Sequence, residues 1–463
     1  MGVTIGGQVN PIGDLKRKQR KRGMSQTQVI SLSFFVIIII GTLLLSLPVS
    51  SRDREVTPLL DCLFTATSST CVTGLVTVDT GTHWSLFGQC VILLMIQIGG
   101  LGFMTIATVL FMLINKKLGL RERELLSESI NTLQIGGILK LAKRILAVTA
   151  VVELSGAALL SIRFCPKFGV PKGIFMGIFH SVSAFCNAGF DIMGFTGEFC
   201  SLTGFYNDVL VNVVIMLLII IGGLGFLVWD DVLNHGIHLR KYRLHSKIVL
   251  SISAILVLVG AVVLFFSEAD YSAAGMNFGE RVLTSFFGSV TARTAGFNTV
   301  DTGALSPAGK LLTTVLMFIG GSPGSTAGGI KTTTFITLLL FGFSYIRKNS
   351  SFGLFGRRLE SNILNKATAV FVTNLSLVIL ASLIICIADN QLPVIDVIFE
   401  TTSAVATVGM STGITRSLSI VSKIVIIFLM FCGRVGSLSF AGALAERKAP
   451  SRITAPAEDI TIG

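Results

Sequence analysis

Four tetrapeptides carry the residues on which ion chemistry can be built: Val72-Thr73-Gly74-Leu75, Asn187-Ala188-Gly189-Phe190, Thr294-Ala295-Gly296-Phe297 and Thr407-Val408-Gly409-Met410. Each follows a short segment rich in small and hydroxyl side chains, and each precedes a long apolar run. Glycine lacks a Cβ and reaches backbone angles closed to other residues, so a loop built on it can aim successive carbonyl oxygens inward. Carbonyls arranged in that way can replace the hydration shell of a monovalent cation, and no acidic ring within the loops is needed. The candidate filter residues are therefore Val72, Thr73, Gly74, Asn187, Ala188, Gly189, Thr294, Ala295, Gly296, Thr407, Val408 and Gly409. One such tetrapeptide alone is an ordinary turn. The four glycines, however, lie 115, 107 and 113 residues apart, and a period that constant marks a repeated unit.

The elements that must hold these loops belong to a membrane protein. Of 463 residues 51% are hydrophobic and only 13% charged, with a mean hydropathy of +0.79, outside the range of a water-soluble globule. Each unit reads as a span, a half-length pore helix, the loop and a second span, which predicts an all-α integral membrane protein with four parallel repeats around one central pore. The repeats are expected at 29–114, 138–232, 245–343 and 367–444, between a basic segment 1–28 and a tail 445–463. Predicted pore helices cover 58–69, 171–184, 280–290 and 393–404. Each unit crosses twice and dips once, so the Lys and Arg clusters between units share one side, and the net charge of +12 is a topology signal. The positive-inside rule puts that side and both termini in the cytoplasm of a multi-pass plasma-membrane protein touching anionic lipid heads. Nucleic acid is excluded as a partner, because no basic face carries interleaved aromatics.

The third unit is interrupted. Gly320, Gly321, Ser322, Pro323, Gly324, Ser325, Thr326, Ala327, Gly328, Gly329, Ile330 and Lys331 put five glycines and a proline where a span should continue, and a helix breaks there. Irregular backbone survives at membrane depth only where a cavity hydrates it or protein buries it, so 320–331 is expected to form a flexible plug on the cytoplasmic side of the filter. The spacing does not fit a phosphate-binding loop, since Ile330 stands where lysine is required. Close helix packing explains the glycines but not Pro323 or the hydroxyl cluster. The matching stretches Ile98-Gly99-Gly100-Leu101-Gly102-Phe103 and Ile221-Gly222-Gly223-Leu224-Gly225-Phe226 are expected to bend or pack their helices without opening them. In the fourth unit Arg434 is a charge inside a span. It reads either as an electrostatic barrier that the gate contacts or as half of an ion pair, with Glu400 as partner. Asp61 and Asp396 read as helix-start acids, His180 as a hydrogen-bonded helix residue, Glu153 as an acid within a span, and Arg293 beside the third loop as unexplained. Neither a nucleophile with its base nor a pair of catalytic acids is present, no cofactor is called for, and the eight scattered cysteines have no metal-ligand spacing.

Span, pore helix, loop and span in fourfold repetition, with Thr291-Ala292-Arg293-Thr294-Ala295-Gly296-Phe297 as the most specific loop, resembles the Trk, Ktr and HKT superfamily of cation transporters. The resemblance covers 29–445 and is greatest to the Ktr membrane subunit. It implies potassium as the transported ion, because glycine occupies all four filter positions, and it implies that 320–331 is an intramembrane gate. A homodimer with one pore per protomer and a cytosolic regulatory ring binding ATP or ADP are further implications. The loops depart from the Thr-Val-Gly-Tyr-Gly filter of potassium channels, which leaves fewer carbonyl layers. A sodium- or proton-coupled potassium symporter is the alternative.

Overall fold

The computed structural model describes residues 26–102, 105, 119–129, 138–347, 353–354, 357–358 and 361–436. The first group of helices is α1 (Gln26–Leu45), α2 (Leu59–Thr70) and α3 (Leu86–Leu101), followed by α4 (Leu120–Ser129). A second group contains α5 (Ile138–Phe168), α6 (Val170–Phe185), α7 (Val209–Leu224) and α8 (Phe226–His235). A third contains α9 (Leu244–Ser267), α10 (Phe278–Thr291), α11 (Pro307–Phe318) and α12 (Thr332–Ile346). The last contains α13 (Ser361–Ala388), α14 (Val394–Val405) and α15 (Ile420–Val435). Among the described residues β pairing is limited to Gly353–Leu354 against Arg357–Arg358 and two isolated bridges.

Stretches dense in Ile, Val, Leu and Ala give α1, α5, α9 and α13 the length and hydropathy to cross a bilayer, and the bent pair α7 and α8 passes the same test together. Their outward faces carry exposed apolar side chains such as Phe35, Leu154, Val262 and Leu380, the surface a lipid covers. The short helices start on stop signals for the preceding chain. Pro58 and Pro393 cap α2 and α14, a proline sits in the first turn of α6, and Asn277 with Glu280 forms a reciprocal capping box on α10. The helices that follow share another device, in which the side chains of Ser85, Asp208, Ser306 and Ser419 accept from the first-turn amides of α3, α7, α11 and α15.

The groups join in a circuit. α3 packs on α6, α7 on α10, α11 on α14, and α15 returns to α2. Two of these contacts carry ion pairs, Lys310–Asp396 at 2.9 Å and Lys423–Asp61 at 3.0 Å. The acids Asp61 and Asp396 thus sit in the first turns of α2 and α14, where the helix dipole favours them, and each holds a cation from its neighbour.

The glycine-rich stretches of the first, second and fourth groups do more than bend a helix. α3, α7 and α15 stop before Gly102, Gly225 and Gly436, whose φ values are 80°, 95° and 93°. A glycine in the left-handed region just past the last turn ends a helix, and after Gly225 the chain turns by 98° into α8. The expectation that Ile221-Gly222-Gly223-Leu224-Gly225-Phe226 bends or packs its helix without opening it holds for the bend and is corrected for the opening, because the helix is broken at Gly225; the matching first-group stretch runs into Phe103, outside the described residues. Residues 106–114 and 437–444, which the sequence assigned to the same spans, lie outside the described residues.

Candidate functional site

The C-terminal ends of α2, α6, α10 and α14 carry the four candidate loops. In three of them the chain leaves the helix through the same paired bonds. Thr73 N–H donates to Ser68 O at 2.8 Å and Val72 N–H to Ser69 O at 3.2 Å, and the equivalents are Ala188 to Ser183, Asn187 to Ala184, Val408 to Ser403 and Thr407 to Ala404. This exit requires a left-handed residue at its first position, where glycine is usual. Here Val72, Asn187 and Thr407 occupy it at φ 57°, 58° and 51°. In the third loop Thr294 takes that conformation at φ 75° after one additional residue, Arg293. A non-glycine residue in this region costs about 1–2 kcal/mol, and for β-branched Val and Thr it is a genuine outlier. The surroundings must over-determine it. Ser68 and Ser403 do so by accepting from the amides of Gly74 and Gly409, and Ser183 and Thr291 by donating to the carbonyls of Phe190 and Phe297.

Two residues on, Gly74, Gly189, Gly296 and Gly409 have φ of 97°, 68°, 89° and 88°. These glycines form a closed circuit. A Cβ at Gly74 would lie 3.2 Å from Gly189 Cα, one at Gly189 2.9 Å from Gly296 Cα, one at Gly296 3.3 Å from Gly409 Cα, and one at Gly409 2.8 Å from Gly74 Cα. Each would also collide with the carbonyl oxygen preceding the next glycine, which names Ala188, Ala295, Val408 and Thr73 in turn. Four backbone carbonyls and four glycines therefore share one small space, just past the partially negative C-termini of the four short helices.

A cavity of about 260 Å³ lies on one side of this circuit, lined by all four glycines and by Asp79, Asp191, Asp301 and Arg416. Sequence reasoning missed these three acids because they lie two to five residues past the loop glycines, in stretches without helical periodicity. Asp79 is spent on structure, since it accepts from Thr82 N–H at 2.8 Å and from Phe199 N–H at 2.9 Å. Among the described residues Asp191 accepts only from Met193 N–H, at 3.0 Å. Its carboxyl is pushed up to about 7, first by burial and then by the neighbouring Asp79.

On the other side is a cavity of about 530 Å³, lined by Gly324, Ser325, Ala327, Gly328, Gly329, Lys331 and Arg434 among others. Residues 320–331 cross it as irregular chain between α11 and α12, pinned by an Ile319–Ile330 bridge and by Thr332 N–H to Gly321 O at 3.1 Å. Gly328 lies against Ala406, whose carbonyl would be 2.9 Å from a Cβ there, so the loop runs directly against the fourth candidate loop. The loop is latched to the second group. Ser322 N–H donates to Gly223 O at 3.1 Å, Phe226 N–H to Gly324 O at 2.7 Å, and Thr326 Oγ1 to Phe185 O at 3.2 Å. Lys331 Nζ folds back on its own loop, donating to Ala327 O at 2.6 Å.

Arg434 donates to Thr326 O of the loop and to the carbonyls of Gly99 and Gly100, the latter at 3.2 Å. Glu400 accepts instead from Thr415, so the pairing of Arg434 with Glu400 is overturned. Arg293 points away from the glycines toward α9, where its Nη2 donates to Ser253 Oγ at 3.0 Å. His180 shares a hydrogen bond of 2.8 Å with Met176 O in its own helix. Within the membrane layer Glu153 of α5 accepts from Gln97 Nε2 of α3 at 3.2 Å, a pairing that the spacing of 56 residues concealed.

The chain matches a family model described as TrkH, cation transport protein, over residues 4–451. It is 40% identical to the potassium/sodium uptake protein NtpJ of Enterococcus hirae, covering 97% of this chain and 99% of that protein. It is also 40% identical to the Ktr system potassium uptake protein B of Bacillus subtilis, over 94% of this chain and 96% of the other. In fold it is similar to the potassium transporter TrkH from Vibrio parahaemolyticus, with a TM-score of 0.72 over 93% of this chain and 87% of that one at 17% identity.

Proposed function

Because the chain belongs to the TrkH family of cation transport proteins, we propose that it is a potassium uptake subunit in which four glycine loops select the ion and 320–331 gates it. The observation that carries this reading is the closed circuit of Gly74, Gly189, Gly296 and Gly409 with the carbonyls of Thr73, Ala188, Ala295 and Val408. Its relatives are membrane cation transporters, and the chain is not an enzyme. Potassium as the cargo is supported by the uptake proteins it resembles.

In this reading a potassium ion enters through the cavity bearing Asp191 and Asp301, sheds water, and is received by backbone carbonyls. Alternating left-handed residues, Val72 then Gly74 and their equivalents, aim those carbonyls. Beyond the glycines the ion meets the loop, Lys331 and Arg434. A fixed cation and a loop under the filter oppose passage, so the loop must move for flow. The basic clusters between the groups place the gate side in the cytoplasm with both termini. A homodimer with one pore per protomer, served by a cytosolic ring binding ATP or ADP, completes the assembly. A second reading, sodium- or proton-coupled symport, is favoured by the potassium/sodium name of the Enterococcus relative. The two differ in whether flux follows the potassium electrochemical gradient alone.

The test is potassium uptake by cells that depend on added potassium, with the wild type compared with Gly74→Ser. Wild-type protein restores growth at low potassium. The variant shifts preference toward sodium by about tenfold, equivalent to about 1.4 kcal/mol between the ions. Absence of growth with wild type removes the function, and an unchanged preference in the variant removes the glycine assignment.

A further inference from the structure

The segment from α8 to the start of α9 has an outward surface that the proposed transport cycle does not use. α8 leaves α7 at 98°, so if α7 crosses the bilayer α8 runs roughly along the membrane plane at its edge. Its inner face is fixed. Val228 and Asp231 are fully buried, Trp229 Nε1 donates to Ile221 O at 2.9 Å, and Asp230 pairs with Arg144 at 2.6 Å. Val232 and Leu233 are exposed on its outer face, and in the turn that follows it Ile237 and Leu239 are exposed too, Ile237 to 92%. Beside them Arg240 and Lys241 are exposed and make no ion pair among the described residues.

A helix end and the turn after it, lying at the boundary with apolar residues outward and cations beside them, fit a leaflet of anionic phospholipid, into which the apolar side chains sink while the cations meet phosphates. The same element touches the gate. Phe226, the first residue of α8, donates its N–H to Gly324 O at 2.7 Å. Trp229 stacks on Phe185, with ring centroids 5.6 Å apart, and the Phe185 carbonyl accepts from Thr326 of the loop. We propose that residues 232–241 form an anionic-lipid contact which, through Phe226 and Trp229, holds the 320–331 loop beneath the filter. The inference rests on the functional reading above for the identity of the gate and for the side of the membrane. Headgroup contact keeps α8 flat and the Phe226–Gly324 latch closed, so anionic lipid lowers flux.

The test uses full-length protein in vesicles of phosphatidylcholine, alone or with about a third phosphatidylglycerol, and measures potassium flux. Wild-type flux falls about threefold with phosphatidylglycerol, and the double variant Arg240→Gln, Lys241→Gln loses that response. In parallel, Ile237→Trp adds one indole at an exposed position, and its added emission is quenched by bromine on the acyl chains of phosphatidylglycerol. Equal lipid response in wild type and double variant overturns the proposal. An unquenched indole also overturns it, because the segment then stands in water, as docking to a cytosolic protein requires. Protein that carries no potassium in any vesicle sinks the functional reading, while the quenching still decides the lipid contact.

Discussion

Val72 and Thr407 stand at φ 57° and 51°, where a branched side chain is strained, and both sit two residues before a candidate filter glycine. Nothing in a Val-Thr-Gly or Thr-Val-Gly string announces that conformation. The glycines were legible because their spacing repeats, whereas the strained residues needed the paired helix-exit bonds to be seen. Arg293, a cation beside a candidate filter loop, is equally explained only in three dimensions, by its turn toward Ser253. Asp191 yields a prediction at this scale. Its carboxyl titrates near 7 because burial and Asp79 disfavour the charged form, so it is anionic above that pH and neutral below. Ionisation is therefore unfavourable to the fold above the ordinary carboxylate range, while the charge so formed attracts cations. Potassium uptake at fixed gradient should fall by about twofold as external pH drops from about 8 to about 6, and Asp191→Asn should flatten that profile.

At the scale of elements the sequence located the break between α11 and α12 but not its counterpart between α7 and α8. Proline and five glycines mark the first, while a single glycine after a Gly-Gly pair marks the second. The two breaks are one assembly, because Ser322 and Thr326 of the 320–331 loop donate their amides to the carbonyls beside the second break, Gly223 and Gly222. Gly225 holds φ 95°, and a Cβ there would lie 2.7 Å from Pro323 O. Gly225→Ala should strain the turn by about 1–2 kcal/mol and push the loop aside. Potassium flux in vesicles should rise severalfold, as it should on removal of 322–328. Flux equal to wild type in both variants would separate the loop from gating.

For the whole molecule the decisive contact is the one that closes the circuit, α15 against α2, where residues 362 apart in sequence meet as Lys423 and Asp61. Both side chains are 17% exposed, so the pair is partly desolvated and removing one partner leaves a charge poorly solvated. Lys423→Met should lower stability by about 2 kcal/mol, a value reduced from the fully buried case for the remaining exposure. Exchange of the partners, Asp61→Lys with Lys423→Asp, should recover part of that loss in thermal unfolding of the detergent-solubilised protein. Additive losses in the exchange variant would show that the two charges act independently.

The sequence by itself determined the membrane class, the fourfold recurrence, the four loop glycines and the interrupted third group, since hydropathy, period and helix-breaking residues are local properties. Chain order alone did not determine which residues meet. The adjacency of Gly409 to Gly74, the hold of Arg434 on Thr326, and the acids of the cavity beside the four glycines arose only when the helices packed. Tertiary structure decided them because a carbonyl or a charge at the end of a helix finds its partner through the direction of that helix, and packing between distant segments sets that direction.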